Sequence, residues 1–362
     1  MATTLRAAPA VVLSALAFSA TAEDFSWQVS GGYGATELAP YADTERTVLD
    51  ATYYFDPVDD SRGPYALAPF LNRSSRVTAG VVREKTTLTT LVATIGSPPP
   101  GTPTAIDVTE DSTGYVFGGR YVWPRSGWYV GASYRNEEMD HEPSSSSLLQ
   151  DTTTDGYQLF GGRYLGESTT VDLGAGTTEQ TTELVITCIT SLCLSGRTAT
   201  HVDTEDWSIG TTHVRRGPRL SYAITGRFSR ADVTPSIDEL VLAPPVGTFP
   251  LRPTTPMTIA GGVSVAAFTP IAAPFSGPSP VEDERDVLSL GGELFPTDRL
   301  GVRIGFARAE GDYIEDDTLD LGATWFFKPG IAIELVVART ETEIGALERD
   351  IDRAEVRFLG RL

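Results

Sequence analysis

The chain has 362 residues, with 48 acidic and 28 basic side chains and a formal net charge of −20. That balance argues against a nucleic-acid partner, because no basic patch is available to neutralise phosphates. Only 41% of the residues are hydrophobic and 35 are glycine; this is too polar for a bundle of membrane helices and suits strands and turns.

Residues 1–22 carry a cation at Arg6, an apolar run from Val11 to Phe18, and the small-x-small end Ala20-Thr21-Ala22. This reads as a secretory signal peptide, leaving 23–362 as one mature domain. The apolar run falls short of the roughly 20 residues a membrane helix needs.

From residue 25 onward, stretches of about ten residues alternate apolar and polar, with turns alternately short and long. Successive side chains on a strand point to opposite faces, so the pattern predicts one face in lipid and one in a wet lumen. The expected fold is all-β: a transmembrane antiparallel up-and-down β-barrel of about fourteen strands. Twelve or sixteen strands remain open, and a soluble secreted sandwich or propeller has a similar composition. The first five strands are expected at 25–34, 46–55, 74–85, 113–123 and 127–136. Phe25, Trp27, Leu49, Tyr53, Val77, Tyr115, Trp123, Trp128 and Val130 are expected outward. Later pairs flank the short turns at 166–168, 216–218, 296–298 and 328–330, and the last strand is expected at 351–362. Phe55, Trp123, Trp128, Tyr164, Phe295, Trp325 and Phe327 sit beside short turns and are expected to form an interfacial girdle.

The inward positions are polar in register with the outward apolar ones. Asp50, Arg76, Arg120, Arg135, Arg163, Asp172, Arg227, Glu293, Arg303, Asp320, Glu334, Glu355 and Arg357 are expected to line the lumen. Arg120, Arg135 and Arg163, on three consecutive strands, are expected to form a basic stripe. Charges of both signs around a wet lumen orient dipolar solutes and bias ion passage. The plainer reading is paired wall charges that hold the barrel's shape. Cys188 and Cys193 are expected to form one loop disulfide in an oxidising envelope; two free thiols is the other reading. Residues 231–283 are proline-rich, with Arg252 the only charge from Leu240 to Pro280, and are expected to cap the lumen, plug it or extend a hairpin. His141, His201 and His213 share no catalytic motif, so no enzyme activity, no metal and no cofactor is expected.

Residues 49–80, LDATYYFDPVDDSRGPYALAPFLNRSSRVTAG, resemble the putative general bacterial porin family. The resemblance rests on Tyr53-Tyr54-Phe55, Pro57-Val58-Asp59, Gly63-Pro64, Ala68, Phe70-Leu71, Arg73 and Ser75. It implies an outer-membrane pore for passive diffusion of small hydrophilic solutes and ions. Residues 56–72 would then be a packed turn at the barrel base. The alternative is a structural or adhesive barrel, or a narrow one that carries an apolar ligand. Expected partners are outer-membrane lipid, lipopolysaccharide bridged by divalent cations at the acidic loops, small solutes, and the barrel-assembly machinery through the C-terminal strand. A homo-oligomer is a family-level analogy. The expected location is the bacterial outer membrane, reached through the periplasm.

Overall fold

The computed structural model describes residues 24–38, 42–92, 104–142, 148–186, 196–237, 283–312, 314–344 and 347–362. The signal-peptide reading, the Cys188–Cys193 bridge and residues 238–282 of the proline-rich segment lie outside the described residues. Among the described residues fourteen strands run from β1, Asp24–Leu38, to β14, Leu347–Arg361, among them β4 (Thr104–Val122), β5 (Trp128–Glu142), β7 (Thr169–Ile186), β9 (Ser221–Ile237), β12 (Ile314–Lys328) and β13 (Ile331–Ile344), and each pairs antiparallel with its chain neighbour. β1 closes on β14 through a continuous register from Gln28↔Arg361 to Glu37↔Asp352. The sheet therefore has no open edge, as a lipid-embedded sheet requires.

The strands are longer than the alternation alone indicates, from 11 residues in β11 (Leu300–Glu310) to 20 in β8 (Gly196–Arg215). At about 3.3 Å per residue the longer ones continue well beyond an apolar band about 25 Å tall. Their excess projects on the long-loop side, where the outward residues turn polar. Among the described residues no helix is long and apolar enough to cross a membrane; crossing is by strands.

The outer face follows the expected period. Leu49, Phe117, Val130, Leu159, Leu173, Leu290, Ile304, Leu321 and Leu335 are all exposed on it. The exceptions cluster near the short-turn end. Phe25 faces inward because a β-bulge between Phe25 and Trp27 shifts the register, Trp27 pairing with Tyr53 but Phe25 with Val58. It then packs with Tyr54, Val58 and Ala68. Tyr164 and Phe295 are also inward and buried, so they leave the expected girdle. Phe55, Trp123, Trp128, Trp325 and Phe327 remain exposed around the rim.

A plugged, charge-lined lumen as candidate functional site

The three inward aromatics surround one segment. The connection between β2, Ala42–Asp59, and β3, Arg76–Val92, does not turn back into solvent. It forms two 3₁₀ turns, Asp60–Arg62 and Tyr65–Leu67, and one short helix, α1, Ala68–Leu71. Pro69 stands in the first turn of α1, where its missing N–H costs no intrahelical bond. Tyr65, Leu67, Ala68 and Phe70 cannot remain in water at a turn tip without exposing an apolar patch, so they fold into the barrel mouth.

There they meet inward side chains around the wall. Ala68 packs on Phe25, Tyr54 and Val58. Leu67 packs on Val214, Ala223 and Phe295. Phe70 packs beside Val122, Tyr129 and Tyr164, with its ring 5.5 Å from that of Tyr164. The Tyr65 ring lies 5.5 Å from that of Phe326. Polar bonds fasten the same segment. The Tyr65 amide donates to Asp298 O at 3.0 Å. Arg120 Nη2 donates to Ser74 O at 3.2 Å, and the Val122 amide donates to Ser75 Oγ at 2.9 Å. Residues 60–75 thus touch strands from β1 to β14 and form a plug across the short-turn end of the lumen.

The strongest fastening is Arg361 on β14. Its guanidinium donates to Asp60 Oδ1 at 3.1 Å, to Tyr65 O at 2.8 Å and to Gln28 Oε1 at 3.3 Å. The Phe25 and Phe326 rings lie 4.4 and 4.9 Å from its Cζ. One side chain therefore ties the plug to β14 and β1, the strands of the closing seam. Burial pushes the Asp60 carboxyl up to about 6, with Arg361 pulling it down and Asp59 and Asp24 raising it. A carboxyl whose value is higher docked than in water binds its proton preferentially when docked. That contribution to docking is full below about 4 and fades as pH rises through about 6. Acidification across this window should therefore tighten the plug. The check is bilayer conductance against pH: current should fall on acidification in the native chain, and the part due to this group should vanish in Asp60→Asn.

Above the plug the inner wall is polar. Arg303 pairs with Asp320 at 3.2 Å and with Glu334 at 3.5 Å. Glu334 stands directly across from Arg357, which donates to Glu355. Arg46 and Glu84 pair at 3.2 Å, and Ser30 donates to Asp50. On the opposite arc Arg227 donates to Ser208 Oγ at 2.7 Å. Asp172, Gly210 and Arg227 occupy one register row across β7, β8 and β9. A Cβ at Gly210 would meet Asp172 Oδ1 at 2.9 Å; the bare glycine lets the carboxylate lie flat on the wall. Threonine pairs such as Thr52–Thr78 and Thr318–Thr340, both 2.9 Å apart, fill the intervening positions.

The alternation of buried and exposed positions places Asp50, Arg76, Arg120, Arg135, Asp172, Arg227, Glu293, Arg303, Asp320, Glu334, Glu355 and Arg357 on the inner face. Arg163 is a correction: it is exposed on the outer face, with its Cζ 5.4 Å from the Trp128 ring. Its neighbours Gly162 and Tyr164 point inward, Tyr164 to meet the plug. A stripe of Arg120, Arg135 and Arg163 does not exist. Arg76 and Arg120 instead stand directly opposite each other on β3 and β4.

Aromatics low in the lumen also need glycine on the adjacent strand. A Cβ at Gly131 would come within 2.2 Å of Phe160 Cζ and 2.6 Å of Gly119 O. Gly131→Ala should cost about 1–3 kcal/mol through overpacking. The measurement is the temperature at which the folded, faster-migrating gel band converts to the unfolded one.

Comparison with known proteins agrees with this architecture. Residues 5–97 match the model of a family described as Putative general bacterial porin. No curated protein sequence matches the chain. Among solved structures it is similar to the Ralstonia pickettii toluene transporter TbuX, at 10% identity over 93% of this chain and 90% of that one, with a TM-score of 0.51. It is similar to the CymD monoaromatic hydrocarbon channel, at 9% identity over 93% and 89%, with a TM-score of 0.50. The outer membrane protein Omp33 of Acinetobacter baumannii gives 14% identity over 94% and 99%, with a TM-score of 0.48. The chain has the fold of an outer-membrane β-barrel, and residues 5–97 are similar to that porin family. That segment contains the whole plug. Identities this low carry the fold and nothing of the solute.

Proposed function

We propose that this barrel is a porin-like, non-enzymatic channel of the bacterial outer membrane for passive diffusion of small hydrophilic solutes and ions, closed at its periplasmic mouth while residues 60–75 are docked. The observation that carries this reading is the lining. Above the plug the inner face is built from ion pairs and threonine pairs. Such a wall would repel an apolar cargo and hydrate a polar one. The inner charges of both signs alternate closely, so selectivity between cations and anions should be weak despite the net charge of −20.

A second reading has one specific support. Low in the lumen Phe70, Tyr129, Phe160 and Tyr164 form an aromatic patch, and the fold neighbours include proteins described as a toluene transporter and a monoaromatic hydrocarbon channel. A narrow channel that passes small aromatic molecules would use that patch. The two readings separate in liposome swelling. A hydrophilic channel admits small sugars and amino acids once the plug is shortened. An aromatic channel admits toluene-sized solutes and stays closed to sugars.

A further inference from the structure

The two ends of the barrel treat their outward cations differently. At the long-loop end most of them are tied to acids on the same face: Arg230 to Asp286 at 2.7 Å, Arg308 to Glu310 at 2.7 Å, and Arg339 to Asp350 at 2.5 Å, with Lys85 the exposed exception. At the short-turn end, from the β4–β5 turn round to the β12–β13 turn, Arg125, Arg163, Arg215, Arg219, Arg299 and Lys328 are exposed. Among the described residues none of these six stands in an ion pair. Arg216 beside them pairs loosely with Glu167 at 3.8 Å. A chain of net charge −20 thus carries a basic arc on one rim.

The depth of that arc names its partner. Trp123, Trp128, Trp325 and Phe327 are exposed on the outer face beside the same turns, and such aromatics settle at the membrane–water interface. The Arg163 guanidinium stacks over Trp128 on the lipid-facing side, so it sits at headgroup level and faces away from the lumen. We propose that this rim binds the phosphates of anionic phospholipids in the periplasm-facing leaflet and sets the depth of the barrel there. Guanidinium forks match phosphate oxygens in pairs, and juxtamembrane cations are drawn to anionic leaflets within about a Debye length, ~10 Å at 0.1 M salt.

The test uses the full mature chain reconstituted in phosphatidylethanolamine vesicles containing either phosphatidylglycerol or zwitterionic phosphatidylcholine. Overall charge predicts repulsion from phosphatidylglycerol, so a preference for it reports the rim. The unfolding midpoint should be several degrees higher in the anionic vesicles, and native mass spectrometry should show retained phosphatidylglycerol. High salt should erase the difference, which keeps the test open even if a variant folds poorly. In Arg163→Gln/Arg215→Gln/Arg219→Gln the difference should shrink to a small fraction. Equal midpoints in the two lipids, or an undiminished preference in the triple variant, would overturn the proposal. So would an equal gain from inorganic phosphate in neutral vesicles, or arginine-dependent sedimentation with peptidoglycan without any lipid preference.

Discussion

Arginine at Leu159 should cost about 2–4 kcal/mol of barrel stability, whereas arginine at the adjacent Gln158 should cost far less. Leu159 is exposed on the outer face. It stands six residues above Leu165, about 15 Å up a strand tilted by about 40° and so near the bilayer midplane. A guanidinium there must thin the bilayer or snorkel. Gln158 points into the lumen, where water solvates the same charge. Urea unfolding from vesicles measures both variants. Comparable losses at the two neighbours would mean that β6, Leu148–Leu165, is out of register. The opposite order would place the lumen on the outside.

Removing the Arg361 side chain should free the plug. Asp60 and Arg361 are both buried, at 5% and 4% exposure, and breaking a buried pair by removing one partner costs about 3–5 kcal/mol. Most of that penalty is the stranded Asp60 carboxylate, which escapes it by undocking into water. Arg361→Ala should therefore keep its barrel and lose its docked plug. Protease supplied from the periplasmic side should cleave near residues 60–75 in the variant and spare the native chain. Asp60→Asn/Arg361→Met, which removes both charges together, should restore much of the protection. If Arg361→Ala is as resistant as the native chain, the apolar contacts of Leu67 and Phe70 hold the plug without the latch.

Alternation made the strands and the outer face legible, because lipid and water select residues position by position. The polar lumen of the C-terminal half followed directly, since Arg303, Asp320, Glu334, Glu355 and Arg357 all stand opposite outward aliphatics. The pattern misled where a third environment intrudes. Phe160 and Tyr164 are apolar residues on the wet face, one lying on Gly131 and the other on the plug. Reading them as lipid-facing turns Arg163 inward, which is the error that created the basic stripe. Phe25 failed for a local reason: a bulge leaves no mark in a two-residue period. The plug left a sign in Tyr65, Leu67, Phe70 and Leu71, too many apolar residues for an exposed turn. Its reach across the barrel to Arg361 depends on contacts some 300 residues apart, which no local pattern encodes.

Single-channel recording from a planar bilayer tests the central claim most directly. The native chain should show a small, mostly closed conductance with little preference between cations and anions. Replacing residues 60–73 by a short polar turn should give a large, steadily open one. A silent barrel in both forms, with folding confirmed by the gel shift, would contradict the account of a hydrophilic channel closed by its own β2–β3 connection.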